Sequence, residues 1–399
     1  MKNEWWAYLI AIAIVVGGLT IGYTTFRRKS FEKRIEEHFA SVDVLVSEKK
    51  YGEALATIES LADRLKKPDM RRRLERVAIK TLARAGKTDE AKQKAEAYAQ
   101  AYPDDPNLGM PLYVLGKIAL EQENDRQKAG QLFERVLTKY AGDPTSVSAA
   151  LGLAYLEAPS DPVATKTRLD QLIAMSLDAE VRAKVEDVLG RVNTQILFLQ
   201  HLLLPGDQLY EVKSGDALER IARRLGVDQG LVQVVNRIDN PLKLRPGDRL
   251  KIPKVSFSIE VNIADNTLTL FSEGRFFKKY RVRTGKNPGQ TPTGDFSIEE
   301  KMKNPRWEDR DTGKVYAAGD PENELGTRWL RFNRRDLGIH GTIHPETIGQ
   351  YASKGCIGML KEDVEQLYDL VPVRTQVRIF GQKPKDYSLV ESSSEAKLP

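Results

Sequence analysis

Tyr351-Ala352-Ser353-Lys354-Gly355-Cys356-Ile357-Gly358-Met359 holds the only cysteine of the 399-residue chain. A lone cysteine is a buried inert residue, half of an intermolecular disulfide, or a nucleophile. Ser-Lys-Gly before it and a glycine two positions after it describe a turn rather than a core strand. Two of the four histidines, His340 and His344, lie within 16 residues of it. A free thiol is mostly protonated at neutral pH, and a neighbouring imidazole can take its proton. His340 ends the short run Gly338-Ile339 and precedes Gly341, whereas His344 precedes Pro345 in a loop-like stretch. His340 is therefore the first candidate for a base and His344 the second. Their spacing of four would suit a metal on a helix, but Gly341 and Pro345 disfavour a helix there. No metal is expected, and one cysteine permits neither an intrachain disulfide nor a thiolate-rich metal site. Gly355 allows a tight turn, so that amides near the sulfur can face a developing oxyanion, each worth roughly 3 kcal/mol.

Outward from this stretch, residues 255–382 carry a β pattern. Ile259, Val261 and Ile263 alternate before the turn Ala264-Asp265-Asn266, and Leu268 and Leu270 before Ser272-Glu273-Gly274. Further runs cover residues 276–282, 296–298, 329–332 and 377–380, with one helix over 361–371. Short strands with closely spaced turns predict a sandwich or barrel. Residues 383–399 are polar and serine-rich, which predicts a disordered tail.

Residues 210–253 differ in character. Tyr210-Glu211-Val212 alternates, Ser214-Gly215-Asp216 turns, and Leu218, Ile221, Ala222 and Leu225 follow at helical spacing. A second short helix around 231–236 and the ending Pro246-Gly247-Asp248-Arg249-Leu250-Lys251-Ile252-Pro253 complete a strand, two helices and a strand. This segment resembles a LysM module, taken as residues 208–254, in its Y-x-V-x-x-G-D-x-L-x-x-I-A opening, Asn236 and P-G-D-x-L-x-I-P ending. The resemblance implies binding to N-acetylglucosamine-containing glycan, with Gly215, Asp216 and Ala217 as candidate contacts. The plain alternative is that Gly215 and Asp216 only shape the turn and cap the helix.

Residues 30–204 read as helical. Ala54, Ala91 and Ala129 recur at intervals of 37 and 38, and Pro68, Pro106 and Pro144 at 38 and 38, each beside an aspartate. The segment resembles a divergent tetratricopeptide-like array, either a surface for a partner protein or a spacer. Residues 5–26 contain no formal charge over 22 residues, enough for a membrane span, with Trp5, Trp6, Tyr8 and Tyr23 near its ends. Arg27-Arg28-Lys29 follows directly, without a small-residue cleavage pattern, so residues 1–29 read as an uncleaved anchor. That basic flank favours a cytoplasmic C-terminal bulk, whereas the motifs favour an extracytoplasmic one; the motifs are followed here.

Lys plus Arg is 62 against 56 Asp plus Glu, a formal +6, of which residues 1–34 carry +4. With the rest near neutral, no nucleic-acid partner is expected. Hydrophobic residues at 41% and charged residues at 30% exclude wholesale disorder.

The C-terminal 130 residues resemble an L,D-transpeptidase catalytic domain of the YkuD type. The matching elements are Thr291-Pro292-Thr293-Gly294-Asp295-Phe296, Leu325-Gly326-Thr327-Arg328-Trp329-Leu330, Ile339-His340-Gly341-Thr342 and Ser353-Lys354-Gly355-Cys356-Ile357. The resemblance implies a β-sandwich-like fold, Cys356 as nucleophile and His340 as base. The Gly341 carbonyl would orient the ring, and the Gly355 and Cys356 amides would line the oxyanion site. Ser353, Lys354, Arg328 and Trp329 would meet substrate. It further implies a cysteine acyl-enzyme on peptidoglycan stem peptides, giving 3→3 cross-links, attachment of a protein, or hydrolysis as an L,D-carboxypeptidase. Susceptibility to carbapenems and the absence of a cofactor are also implied. Two positions depart from the pattern: Lys354 replaces the commoner histidine, and Gly358 stands where an arginine is usual. Arg328 and Arg331 are candidates to supply that charge. The competing reading is a wall-binding scaffold with a weak or inactive catalytic domain.

Overall fold

The computed structural model describes residues 33–309 and 312–384. The candidate anchor, with its span at 5–26, and residues 385–399 of the candidate tail lie outside the described residues. Among the described residues no helix is long and apolar enough to cross a membrane. The chain forms two compact units that meet between Leu156 and Glu157.

The first unit is helical: α1 (33–47), α2 (Tyr51–Ala62), α3 (Pro68–Arg84), α4 (Thr88–Ala101), α5 (Gly109–Glu121), α6 (Arg126–Lys139) and α7 (Ser146–Glu157). The repeated alanines sit in the first turns of α2, α4 and α6 and are fully buried, where a small side chain lets neighbouring helices approach. Asp105 and Asp143, 38 apart, do the same work. Each carboxylate accepts from the backbone N–H two residues on, of Asn107 and Thr145, at 2.7 and 2.8 Å. The period is thus written into the turns. The prolines stand before the following helices rather than ending the preceding ones; Pro68 takes the first position of α3, where it has no N–H to lose.

The second unit begins with α8 (Pro162–Ile173) and α9 (Ala179–Phe198). Sequence grouping had placed both with the helical array. The structure instead packs α9 along the catalytic domain, because its polar face carries bonds to that domain. Asn193 Nδ2 donates to the carbonyl of Phe277 at 2.9 Å, and Lys279 pairs with Glu186. The helix thereby covers the outer strand of a sheet, which would otherwise expose unpaired backbone groups. Its C-terminal carbonyls, of Ile196 and Leu199, accept from Lys251 Nζ at 2.8 and 3.2 Å. Lys251 is 1% exposed, and burial holds its pKa below the usual lysine range, against the pull of Asp207.

The module between them has β1 (Gln208–Glu211) antiparallel to β2 (Arg249–Ile252), with α10 (Leu218–Leu225) and α11 (Gln229–Val235) packed on Val212, Leu250 and Ile252. Asn236 bonds both the N–H and the carbonyl of Lys251, at 2.7 and 2.8 Å, as a strand neighbour would.

The β-rich domain contains β3 (Phe257–Asn262), β4 (Thr267–Ser272), β5 (Arg275–Arg281), β6 (Thr284–Gly285), β7 (Gly294–Lys303), β8 (Trp307–Glu308), β9 (Val315–Tyr316), β10 (Arg328–Phe332), β11 (Gly338–His340), β12 (Tyr351–Ser353), β13 (Ile357–Gly358), α12 (Lys361–Leu370) and β14 (Gln376–Phe380). Eight strands form one mixed sheet in the order β13-β11-β10-β7-β14-β3-β4-β5. Its two ends meet: Arg283, two residues beyond β5, bridges to Gly358 of β13, so the sheet closes on itself. Closure removes both open edges at one point. Alternating residues, among them Ile259, Val261, Leu268, Leu270, Ile339 and Ile357, fill the interior with Val364, Leu367 and Leu370 of α12.

Candidate active site

Strands β10, β11 and β13 lie side by side and position the site. Their register sets Trp329 opposite His340, and His340 opposite Gly358. Side chains opposite one another share a face, and the pleat returns to that face every second residue. Cys356 stands in the bend immediately before β13, two positions from Gly358. Its Sγ donates to the Asp336 carbonyl at 3.5 Å, and the residue is partly exposed. Gly338, on the same face, leaves room for the Trp329 ring, which lies 5.9 Å from the His340 ring.

His340 is 5% exposed. Its Nδ1 lies 2.5 Å from the Gly341 carbonyl. A carbonyl only accepts, so Nδ1 carries the proton and Nε2 keeps its lone pair. Burial and the nearby Arg283 guanidinium push the pKa down to about 4, against the carbonyls of Gly341 and Glu324. The ring is therefore a neutral acceptor at neutral pH. His344 differs: its side chain is 47% exposed, 3.4 Å from Glu346, at a surface turn. The Leu325-Gly326-Thr327 loop packs against Gly341, with Gly326 at φ 63° and its missing Cβ only 3.2 Å from Gly341 Cα.

The turn before Cys356 is closed by its own side chains. Ser353 Oγ donates to the Cys356 carbonyl at 2.6 Å and accepts from the Gly355 N–H at 3.1 Å. The Gly355 amide, expected at the oxyanion site, is thus already engaged. Gly355 is required for another reason: at φ 133°, a Cβ would stand 2.7 Å from the Gln290 carbonyl. Thr291 Oγ1 links the turn to β6, donating to the Gly355 carbonyl and accepting from the Gly285 N–H, each at 2.8 Å. Lys354 pairs with Asp309 at 3.2 Å.

Neither arginine proposed from sequence is placed to supply the missing charge. Arg328 lies one residue out of phase with Trp329, so it turns to α12, where it meets Glu365 at 3.5 Å and the Tyr368 ring at 5.3 Å. Arg331 is held by Glu299 and Glu300 at 2.7 and 2.9 Å. Sequence reading missed Arg283, a buried charge whose neighbours from Glu324 to Gly358 lie more than 40 positions away. Among the described residues no group of three or more His, Cys, Asp or Glu side chains is placed to hold a metal ion.

In the smaller module, Gly215 occupies the left-handed region at φ 79°. Asp216 accepts from the Tyr210 hydroxyl at 2.6 Å and from the Lys213 N–H at 2.9 Å, and those bonds, led by the one from Tyr210, hold its carboxyl below the usual range. Ala217 stands at the N-cap of α10 without a capping bond. These three residues shape the turn. A surface cavity of about 300 Å³ lies at the other turn instead, lined by Ile238, Asp239, Asn240, Lys243, Leu244 and Asp248. Leu242, 91% exposed, lies on that same turn. Asn240-Pro241 and Pro246-Gly247 were the signals that could have directed attention there.

Residues 256–379 match the L,D-transpeptidase catalytic domain, YkuD, and residues 210–253 match the LysM domain. Over 176 residues the chain is 35% identical to the Bacillus subtilis protein named as an L,D-transpeptidase, YkuD, covering 43% of this chain and 97% of that relative. The chain belongs to the YkuD family of L,D-transpeptidases. A second Bacillus subtilis relative, the L,D-transpeptidase YqjB, is 36% identical over 146 residues, 35% of this chain and 74% of its own length. The chain is thus an L,D-transpeptidase of peptidoglycan, and its LysM module brings it to the same polymer, at an extracytoplasmic cell-wall location. The helices of the first unit are compatible with a tetratricopeptide-like array.

Proposed function

We propose that this L,D-transpeptidase works through a Cys356 acyl-enzyme, with His340 as base and Trp329 as a wall of the substrate cleft. The carrying observation is the His340 ring: buried, neutral, locked through Nδ1 by Gly341, on the strand beside β13, which Cys356 leads into. His340 Nε2 takes the thiol proton as sulfur attacks the carbonyl after the third residue of a tetrapeptide stem. The tetrahedral intermediate collapses, the C–N bond breaks, and the imidazolium returns its proton to the departing D-alanine amine. An amine of a second stem then attacks the thioester, its proton passes through His340 to the leaving sulfur, and a 3→3 cross-link results. A protein lysine as acceptor gives attachment; water gives carboxypeptidase activity.

The proposed layout is an anchor over 1–29, a helical arm from residue 30 to residue 156 offering a face to a protein partner, a helical pair, α8 and α9, belonging to the second unit, LysM over 208–254, catalysis over 255–382 and a tail over 383–399. The anchor holds the enzyme at the membrane with its bulk outside, and glycan binding by LysM raises the local concentration of stems. Intact mass after incubation with a tetrapeptide stem or a carbapenem tests the chemistry. A covalent adduct is expected on the wild type and none on Cys356→Ala. A folded wild type that takes up neither compound would leave the scaffold reading in its place.

A further inference from the structure

Arg283 and Gly358 are reciprocal partners: the N–H of Arg283 donates to the Gly358 carbonyl at 2.8 Å, and the N–H of Gly358 to the Arg283 carbonyl at 3.0 Å. Residues opposed in such an antiparallel bridge send their side chains to one face. That face carries His340, opposite Gly358, and Cys356, two residues before Gly358, lies within electrostatic reach of the guanidinium. Resting on the reading of Cys356 as nucleophile, we infer that Arg283 is the positioning cation that stabilises the Cys356 thiolate as it forms on transfer of the thiol proton to His340, seated in the space that Gly358 leaves empty.

The seat is specific. A Cβ added at Gly358 would stand 2.5 Å from Arg283 Nε and 2.6 Å from its Cγ. Any side chain at 358 displaces the arginine stem, so an arginine seated in this way requires glycine at 358. Arg283 is 5% exposed. Nη1 donates to Thr347 Oγ1 at 3.2 Å, while Nε is buried without a hydrogen-bond partner. Among the described residues no carboxylate lies within ion-pair distance of it. A buried, unpaired guanidinium is costly, and an anion forming beside it recovers that cost.

The surrounding charges fit this role. Burial lowers the guanidinium's pKa against the attraction of Glu324, Glu346 and Cys356, and burial, with the guanidinium second, holds His340 neutral. On the adjacent turn Lys354 is paired with Asp309, and Arg328 and Arg331 are held by other carboxylates. Among the described residues Arg283 is thus the cation of this face that no carboxylate meets in a direct ion pair, although Glu324 and Glu346 also act on it from further off. The cation reaches Cys356 from the neighbouring strand instead of from two residues along its own.

The single cysteine makes the test unambiguous. The rate of iodoacetamide labelling, read by intact mass, is followed against pH for the wild type and variants. Arg283→Gln should raise the pH midpoint of labelling by about one unit or more, the size expected when an adjacent opposite charge is removed. Arg283→Lys should recover part of the shift. Gly358→Arg alone, with Arg283 in place, should destabilise the fold or raise the midpoint. The double variant Arg283→Ala/Gly358→Arg should return the midpoint toward wild type, since the emptied seat accepts a guanidinium from the other strand. A folded Arg283→Gln with the wild-type midpoint overturns the inference, as does a double variant no better than Arg283→Gln, or a Gly358→Arg indistinguishable from wild type. If Arg283→Gln fails to fold, the lysine and double variants decide the matter in the same way. Retained transpeptidation by Cys356→Ala would instead sink the nucleophile assignment, a result separate from these labelling profiles.

Discussion

Two glycine turns, residues 213–217 in the LysM module and residues 353–358 in the catalytic domain, carry equally recognisable motifs and use their polar atoms differently. In the LysM turn the named residues are consumed by the fold: Asp216 is held by Tyr210 and Lys213. In the catalytic turn the fold is served by the flanking residues, Ser353, Gly355 and Thr291, while Cys356 is partly exposed, with its Sγ donating to the Asp336 carbonyl. The lesson is that a motif marks a local geometry. Which of its atoms face a ligand depends on what the rest of the chain brings to it.

The largest effect that could break this contrast is at the two histidines. His340→Gln should lower acylation by about 10²- to 10⁴-fold, because it removes the buried acceptor whose Nδ1 is locked on Gly341. His344→Gln should change it by less than about threefold, since that ring stands at the surface beside Glu346. Rates of acylation by a carbapenem, compared at equal folded fraction, check both. The reverse ranking would move the catalytic face to the loop after β11.

The next effect sharpens the contrast through stability. Folded His340 takes up a proton only near pH 4, whereas in the unfolded chain it does so near 6.5. Between those values the unfolded state binds more protons, so the stability from the neutral ring is fully present above about pH 6.5 and is lost as pH falls toward 4. The loss is on the order of 3 kcal/mol. Urea unfolding from pH 7 to 4 should show the wild type losing that much more than His340→Gln. Parallel curves would mean that the ring is not held neutral by burial.

These tests also separate what the sequence disclosed from what it did not. The LysM and catalytic elements were legible because hydrophobic alternation and turn residues are local signals, and His340 was legible because its glycine neighbours mark a strand end. Arg283 was not, since its place depends on a sheet closing between residues 75 positions apart. Lys251 reads as the outward residue between Leu250 and Ile252, yet it is buried because a helix end supplies two carbonyls to it. The attachment of α9 to the catalytic domain was hidden for the same reason: its bonds from Asn193 and Glu186 reach partners more than 80 positions away.

The smallest expected effect lies within the LysM module, where its two turns can be set against each other. Asp216→Ala removes the acceptor of two bonds that fix the first turn, so it should lower the thermal midpoint by a few degrees, and any loss of glycan affinity should follow that loss of structure. Leu242→Ser touches no core contact, because that side chain is 91% exposed beside Asn240 and the 300 Å³ cavity. It should leave the thermal midpoint within about one degree. An exposed leucine that covers a sugar face gives up on the order of 1 kcal/mol when replaced by serine, roughly a fivefold weaker affinity. Calorimetric titration with a chitin oligosaccharide, paired with a melting curve on each variant, reads both quantities. Asp216→Ala with unchanged melting and abolished binding would return the contact to the first turn, and Leu242→Ser with wild-type affinity would take it away from the second.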